Sequence, residues 1–159
     1  MRRIHAEAFR PLDVPSGTPV EVRLVDELTD SGDAVPALSL VAVWEGDLVG
    51  HVVCSRATVG DHPAVGLGPI GVLPEHQRQG VGAALMHAVL AAADALELPL
   101  VGLLGSTEYY PRFGFVPAAQ LGIEAPNPAW GEHFQVRTLT AYRPGIVGRF
   151  RYAPAFENL

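Results

Sequence analysis

The segment Gln77-Arg-Gln-Gly-Val-Gly82 constrains this chain more than any other. A β-type run ends near Val72, a short polar arm follows, and two glycines stand where an Ala/Leu-rich helix has to begin. That order aims several backbone N–H groups and the positive end of a helix dipole at one point. Such a point takes a phosphate or diphosphate without needing lysine. Glycine inside a helix costs up to about 1 kcal/mol relative to alanine. Helix initiation alone accounts for one glycine and leaves the second unexplained.

Two phosphate-binding folds are excluded at once. All 11 basic residues are arginine, so a P-loop, which needs Gly-Lys-Ser/Thr, is impossible. Schiff-base chemistry at a lysine is excluded for the same reason. A dinucleotide fold needs a third glycine and an acidic residue at the end of the next strand. Here those positions hold Leu85 and Gly105, and the preceding strand arrives through an antiparallel meander.

The 159 residues, 48% of them hydrophobic, suit a single domain spanning 1–159 with a sizeable core. No apolar run approaches the ~20 residues of a membrane helix, and the N-terminus has no apolar signal core. A cytoplasmic protein with no membrane partner is expected. The formal charge of −6 argues against nucleic-acid binding. Cys54 is the only cysteine, and its apolar surroundings read as those of a small buried hydrophobe. No histidine pair has metal spacing, so no metal is expected.

Hydrophobic period predicts a helix over 2–10 and another over 20–28, with loops at 13–19 and 29–36. Three strands at 40–44, 48–59 and 64–72 form an antiparallel meander, with a bulge or unpaired side at Pro69. A helix over 80–96 carries Val81, Leu85, Met86, Val89, Leu90 and Ala93 on one stripe. A doubly buried strand at 100–104 closes a parallel, right-handed crossover. A short helix at 109–113, a strand at 115–116, a surface loop at 125–130 and strands at 134–139 and 148–152 complete the chain.

The arm Gln77-Arg-Gln-Gly80-Val-Gly82 resembles the Gln/Arg-x-x-Gly-x-Gly/Ala signature of the GNAT superfamily of N-acetyltransferases. Tyr109-Tyr-Pro-Arg-Phe-Gly-Phe115 resembles the Tyr-x-x-x-Gly-Phe pattern that ends that domain. With Phe134-Gln-Val and Tyr152-x-Pro-Ala-Phe156, the chain is similar to a bacterial subgroup of predicted N-acetyltransferases over nearly its whole length. The resemblance implies an α/β (α+β) fold. Its mostly antiparallel mixed sheet is flanked by helices and has a central parallel strand pair splayed at the cofactor site.

It also implies acetyl-CoA as cosubstrate and a primary amine, on a small molecule or a peptide, as acceptor. On this likeness Ile70, Gly71 and Val72 pair with the pantetheine arm, and one of their N–H groups stabilises the oxyanion. The amides of Gln77, Arg78, Gln79, Gly80, Val81, Gly82 and Ala83 hold the diphosphate. The Arg78 side chain is read either as a phosphate contact or as a solvent-facing cation. Tyr110, four residues before Gly114, maps to the general acid that protonates the departing thiolate, with Tyr109 as its neighbour. Ser106 is a further pantetheine contact, and Phe113 belongs to the same cofactor segment. Glu21 on the second helix is the first candidate for the base, against the plainer reading of a solvated helix charge. Glu75, His76 and His51 stand behind it, His51 as a hydrogen-bonded structural imidazole.

Two features depart from the family pattern. The chain opens almost inside the first helix, so the family's first strand is expected to be missing, its edge position empty or filled by another segment. An uncovered edge of that kind promotes a homodimer. Ser106-Thr107 stands where relatives in the subgroup often have Asp-Pro. A non-catalytic acyl-CoA-binding sensor on the same fold is the competing reading.

Overall fold

The first strand begins earlier than the sequence indicates, three residues after the second helix ends. A computed structural model describes residues 1–9 and 19–158; most of the loop expected at 13–19 lies outside the described residues. Helix α1 spans Arg2–Ala8 and α2 spans Val20–Ser31, which Gly32 ends in the left-handed conformation at φ 78°. Strand β1 runs over Ala34–Trp44, so the loop expected at 29–36 is instead the end of α2 and the start of β1. The reason is local: β1 pairs with Ser55 at Ala34, then not regularly again until Ser39. Pro36, which has no N–H for a ladder, sits inside that irregular stretch.

Strands β2 (Asp47–Val59) and β3 (His62–Val72) complete the meander. Helix α3 covers Val81–Ala95, and β4 covers Leu100–Leu104. The remaining strands are β5 (Val116–Pro117), β6 (Ile123–Glu124), β7 (Phe134–Thr138) and β8 (Gly148–Arg151). The sheet order is β5-β7-β4-β3-β2-β8-β6, with β1 also on β2. Because β3 takes one edge of β2, β1 and β8 share the other, β1 along Asp47–Ser55 and β8 at Thr58–Val59. Among the described residues, only β3/β4 and β6/β8 are parallel pairs. This is the mixed, mostly antiparallel sheet expected. The segment 125–130, expected as a surface loop, leads into 3₁₀ turns at Pro128–His133, and β6 just before it is too short to carry a strand pattern.

No strand lies within residues 1–9. Among the described residues nothing pairs with the outer edge of β1, where Val41, Val43 and Trp44 are exposed. No described helix is long and apolar enough to cross a membrane.

Side-chain alternation assigns the helices to faces. A β-carbon at Gly50 would meet Leu85 and Val81 of α3, whereas one at neighbouring Gly71, opposite His51, would meet His5 and Ala8 of α1. α1 and α3 therefore cover opposite faces. α2 lies with α1, packing Leu24, Val25 and Leu28 against Val53, Ala153 and Ala155. The main core fills the α3 face around Met86, Val89, Val52 and Leu103. An aromatic cluster with Phe134 and Phe150, both fully buried, fills the β4–β7–β8 end.

Candidate functional site

β3 and β4 pair only at Val65–Val101 and Gly66–Gly102. Beyond those residues each stays bonded to its outer neighbour, β3 to β2 as far as Val72 and β4 to β7 along its whole length. The two strands therefore open into a V. A register shift in β3 accompanies the opening. Val52 faces Ile70 and Cys54 faces Leu67, so Gly68 and Pro69 lie opposite Val53 alone. Gly68 has φ 143°, and the Gly68–Pro69 peptide is cis. This is the bulge that Pro69 predicted. From Leu67 to Val72 the inner edge of β3 has no strand partner among the described residues, which suits it to an extended, amide-bearing ligand.

The glycine arm stands at the open end of the V. After a 3₁₀ turn at Pro74–His76, Arg78 (φ 62°) and Gly80 (φ 83°) both adopt left-handed backbone before α3 begins. α3 has no side-chain cap. Among the described residues the N–H groups of Arg78, Gln79, Gly80, Val81, Gly82 and Ala83 have no protein acceptor, while Gln77 N–H donates to Pro74 O at 3.3 Å. The side chain of Gln77 donates to Val72 O at 3.0 Å, and that of Gln79 to Glu75 O at 3.3 Å. These glutamines brace the arm. Free N–H groups at a helix N-terminus, with left-handed residues just before them, form an anion-binding concavity. Gly82 matters for space as well: a β-carbon there would stand 3.3 Å from the Tyr109 hydroxyl.

Tyr109 and Tyr110 meet edge to face with centroids 5.0 Å apart. Tyr110 is half-buried on the V side, and burial, with a smaller contribution from Tyr109, raises its pKa. The phenol thus keeps its proton at neutral pH. Phe113 is part of the core, its ring edge-on to Tyr109 and His87. Ser106 Oγ accepts from the N–H groups of Glu108 and Tyr109 at 3.2 and 3.1 Å, so it caps the tyrosine turn.

A cavity of about 520 Å³ occupies the V. Leu67–Ile70 of β3, Leu103 and Leu104 of β4, and Val20, Glu21 and Leu24 of α2 form its walls. Tyr110 opens onto it, so the two residues assigned from sequence to acid and base share one chamber. Phe9, Trp130, Tyr152 and Phe156 complete the lining. Sequence reasoning missed these four as site residues. The only trace was the aromatic Tyr152-x-Pro-Ala-Phe156 pattern, because their convergence depends on packing across the whole chain. A second cavity, about 580 Å³, lies between Pro117–Ala119 and Arg149, away from the V.

The other sequence candidates lie elsewhere. Glu75 is exposed on the arm, and His76 lies beside it with its ring 6.0 Å from Trp44. His51, on β2, is buried under α1: its Nδ1 is 2.8 Å from His5 Nε2, and its Nε2 is 3.0 Å from Ser39 Oγ. His5 Nδ1 is buried without a partner. The tautomer in which His5 Nε2–H donates to His51, and His51 Nε2–H donates to Ser39, leaves there a bare acceptor rather than an unpaired donor. Burial lowers both pKa values to about 4, keeping the pair neutral. Cys54 is fully buried, and burial pushes its thiol up to about 12, in keeping with a packing role.

Residues 2–115 match the acetyltransferase (GNAT) family. A curated relative from Escherichia coli (strain K12), the uncharacterized N-acetyltransferase YjhQ, is 36% identical over 99% of this chain and 88% of its own. The E. coli GNAT family N-acetyltransferase YhbS, solved in complex with CoA, superposes with a TM-score of 0.81 at 29% identity. That match covers 87% of this chain and 78% of YhbS. A GNAT family acetyltransferase from Brucella melitensis, solved with acetyl-CoA, gives 0.75 at 32% identity over 98% of this chain and 88% of its own.

Proposed function

The chain belongs to the acetyltransferase (GNAT) family, and from that premise we propose that it moves an acetyl group from acetyl-CoA to a primary amine by direct attack. The observation that carries this reading is one chamber onto which Tyr110, Glu21 and the unpaired edge of β3 all open. The free N–H groups of the arm lie at the open end of the same V.

The cosubstrate supplies a thioester, a chain of amides and a diphosphate, and features of the V and its glycine arm fit each. The N–H groups from Arg78 to Ala83 take the diphosphate, helped by the α3 dipole. The inner edge of β3 at Ile70–Val72 pairs with the pantetheine amides as an added strand would. The Gln77 side chain already holds Val72 O, and the Leu73 N–H to Val49 O bond sets the register in which Gly71 turns its N–H and C=O to His51 of β2, so Ile70 and the Val72 N–H carry that pairing. Ser106, its Oγ engaged in capping, keeps an O–H for a pantetheine contact.

Glu21, directly or through a water, takes a proton from the incoming ammonium and frees its lone pair. The nitrogen forms a bond to the acyl carbon while a β3 N–H stabilises the oxygen that gains charge. The carbon–sulfur bond breaks, and Tyr110 donates its phenolic proton to the leaving sulfur. The nitrogen's second proton returns to the Tyr110 phenolate, so the products are an N-acetyl amine, free CoA thiol and the one proton held at Glu21. Tyr110 suits this step because burial keeps its phenol protonated.

The test is thiol release from acetyl-CoA by the purified chain with a panel of primary amines. Amine-dependent release is the expected result. Saturable acetyl-CoA binding with no release for any amine would favour the sensor reading instead.

A further inference from the structure

The cavity in the V has one-sided chemistry. Among the described residues that line it, Glu21 is the sole carboxylate, and arginine and histidine are absent. The wall facing the splayed strands is aromatic. Tyr152 and Phe156 stack with centroids 4.3 Å apart, and Trp130 meets Tyr152 edge-on at 6.4 Å. Tyr152 is held against the sheet because Gly66 has no side chain: a β-carbon there would lie 2.5 Å from its ring. Phe9 and Leu24 extend the apolar surface toward Glu21.

Resting on the acetyl-transfer reading above, we infer that the acceptor is a primary monoamine carried on an apolar aryl or alkyl group. Its ammonium meets Glu21, and its apolar part lies along Trp130, Tyr152 and Phe156. Among the described lining residues, a second ammonium, as in a polyamine, or a carboxylate, as in a free amino acid, would meet no oppositely charged side chain besides the one that Glu21 already offers the amine, which is costly. An aryl ring gains both apolar burial and edge or face contacts with the wall.

The experiment compares kcat/KM for 2-phenylethylamine, hexylamine, spermidine and phenylalanine with the full chain at saturating acetyl-CoA. Phenylalanine differs from 2-phenylethylamine only in its carboxylate, so the pair isolates that group. One or both apolar monoamines should exceed spermidine and phenylalanine by roughly tenfold or more. In Trp130→Ala the advantage should shrink by a similar factor while the KM for acetyl-CoA stays unchanged. Preference for spermidine or phenylalanine would overturn the acceptor class and leave acetyl transfer standing. Unaltered amine selectivity in Trp130→Ala would overturn the role of the aromatic wall. Acetyl-CoA binding with no thiol release from any amine would overturn both the inference and the reading beneath it.

Discussion

Tyr110 occupies the space that a side chain on Gly105 would need, its Cδ2 lying 3.0 Å and its Cζ 3.3 Å from where the β-carbon would stand. The glycine that closes β4 thereby sets how far the phenol reaches into the V. Gly105→Ala must push the ring out of place. A displacement of about 1 Å at a reacting group costs up to about 100-fold in rate. The expected outcome is a kcat lowered roughly 10- to 100-fold with acetyl-CoA affinity nearly unchanged, read by steady-state kinetics and calorimetry. Normal turnover would mean that the position of Tyr110 does not matter.

Gly82 lets the Tyr109 hydroxyl and Val72 approach the first turn of α3, at 3.3 and 3.8 Å from a would-be β-carbon. Gly82→Val places a branched side chain there, beside the free N–H groups. Acetyl-CoA affinity should fall by roughly tenfold or more, on the order of 1.4 kcal/mol. The melting temperature without ligand should fall only modestly, because the Tyr109 hydroxyl, 3.3 Å from the new β-carbon, has to give way at a half-exposed position. A calorimetric titration checks the first point and thermal unfolding the second.

The His5–His51 pair sets a pH dependence of stability. Both imidazoles have pKa values lowered to about 4, first by burial and, for His5, also by His51. Unfolded imidazoles titrate near 6.5, so between about pH 6.5 and 4 the unfolded chain binds more protons than the folded one. Stability is full above about pH 6.5 and is lost as the pH falls toward 4. By pH 4 the loss is on the order of 3 kcal/mol for one such group. Denaturant unfolding across this range should show the decline, and His5→Gln should flatten it. An unchanged slope in that variant would remove His5 from the account.

The parts of the fold legible in the sequence were those set by local chemistry. The α3 stripe, the glycine arm and the short apolar strand β4 each announce themselves through period or backbone demand, and Pro69 correctly signalled the bulge. The start of β1 was hidden because Pro36 and the irregular pairing of Ala34–Leu38 break the alternation. β6, two residues long, carries no pattern at all. At the site, Tyr110 and Glu21 came from the family resemblance, and the structure brings both to the lining of one cavity. Trp130, Tyr152 and Phe156 did not emerge, because only the tertiary packing over Gly66 brings them to one wall. Likewise Phe113 reads as part of a motif in sequence, yet its ring fills the core beneath Tyr109.

The most direct test of the acetyl-transfer account is amine-dependent thiol release by the wild-type chain and by Tyr110→Phe, with acetyl-CoA affinity measured in parallel. Removing a general acid costs about 10²- to 10⁴-fold. The account predicts a kcat drop of that size with the dissociation constant for acetyl-CoA within about twofold of wild type. Wild-type turnover by Tyr110→Phe, or no amine-dependent release by the wild-type chain, would contradict it.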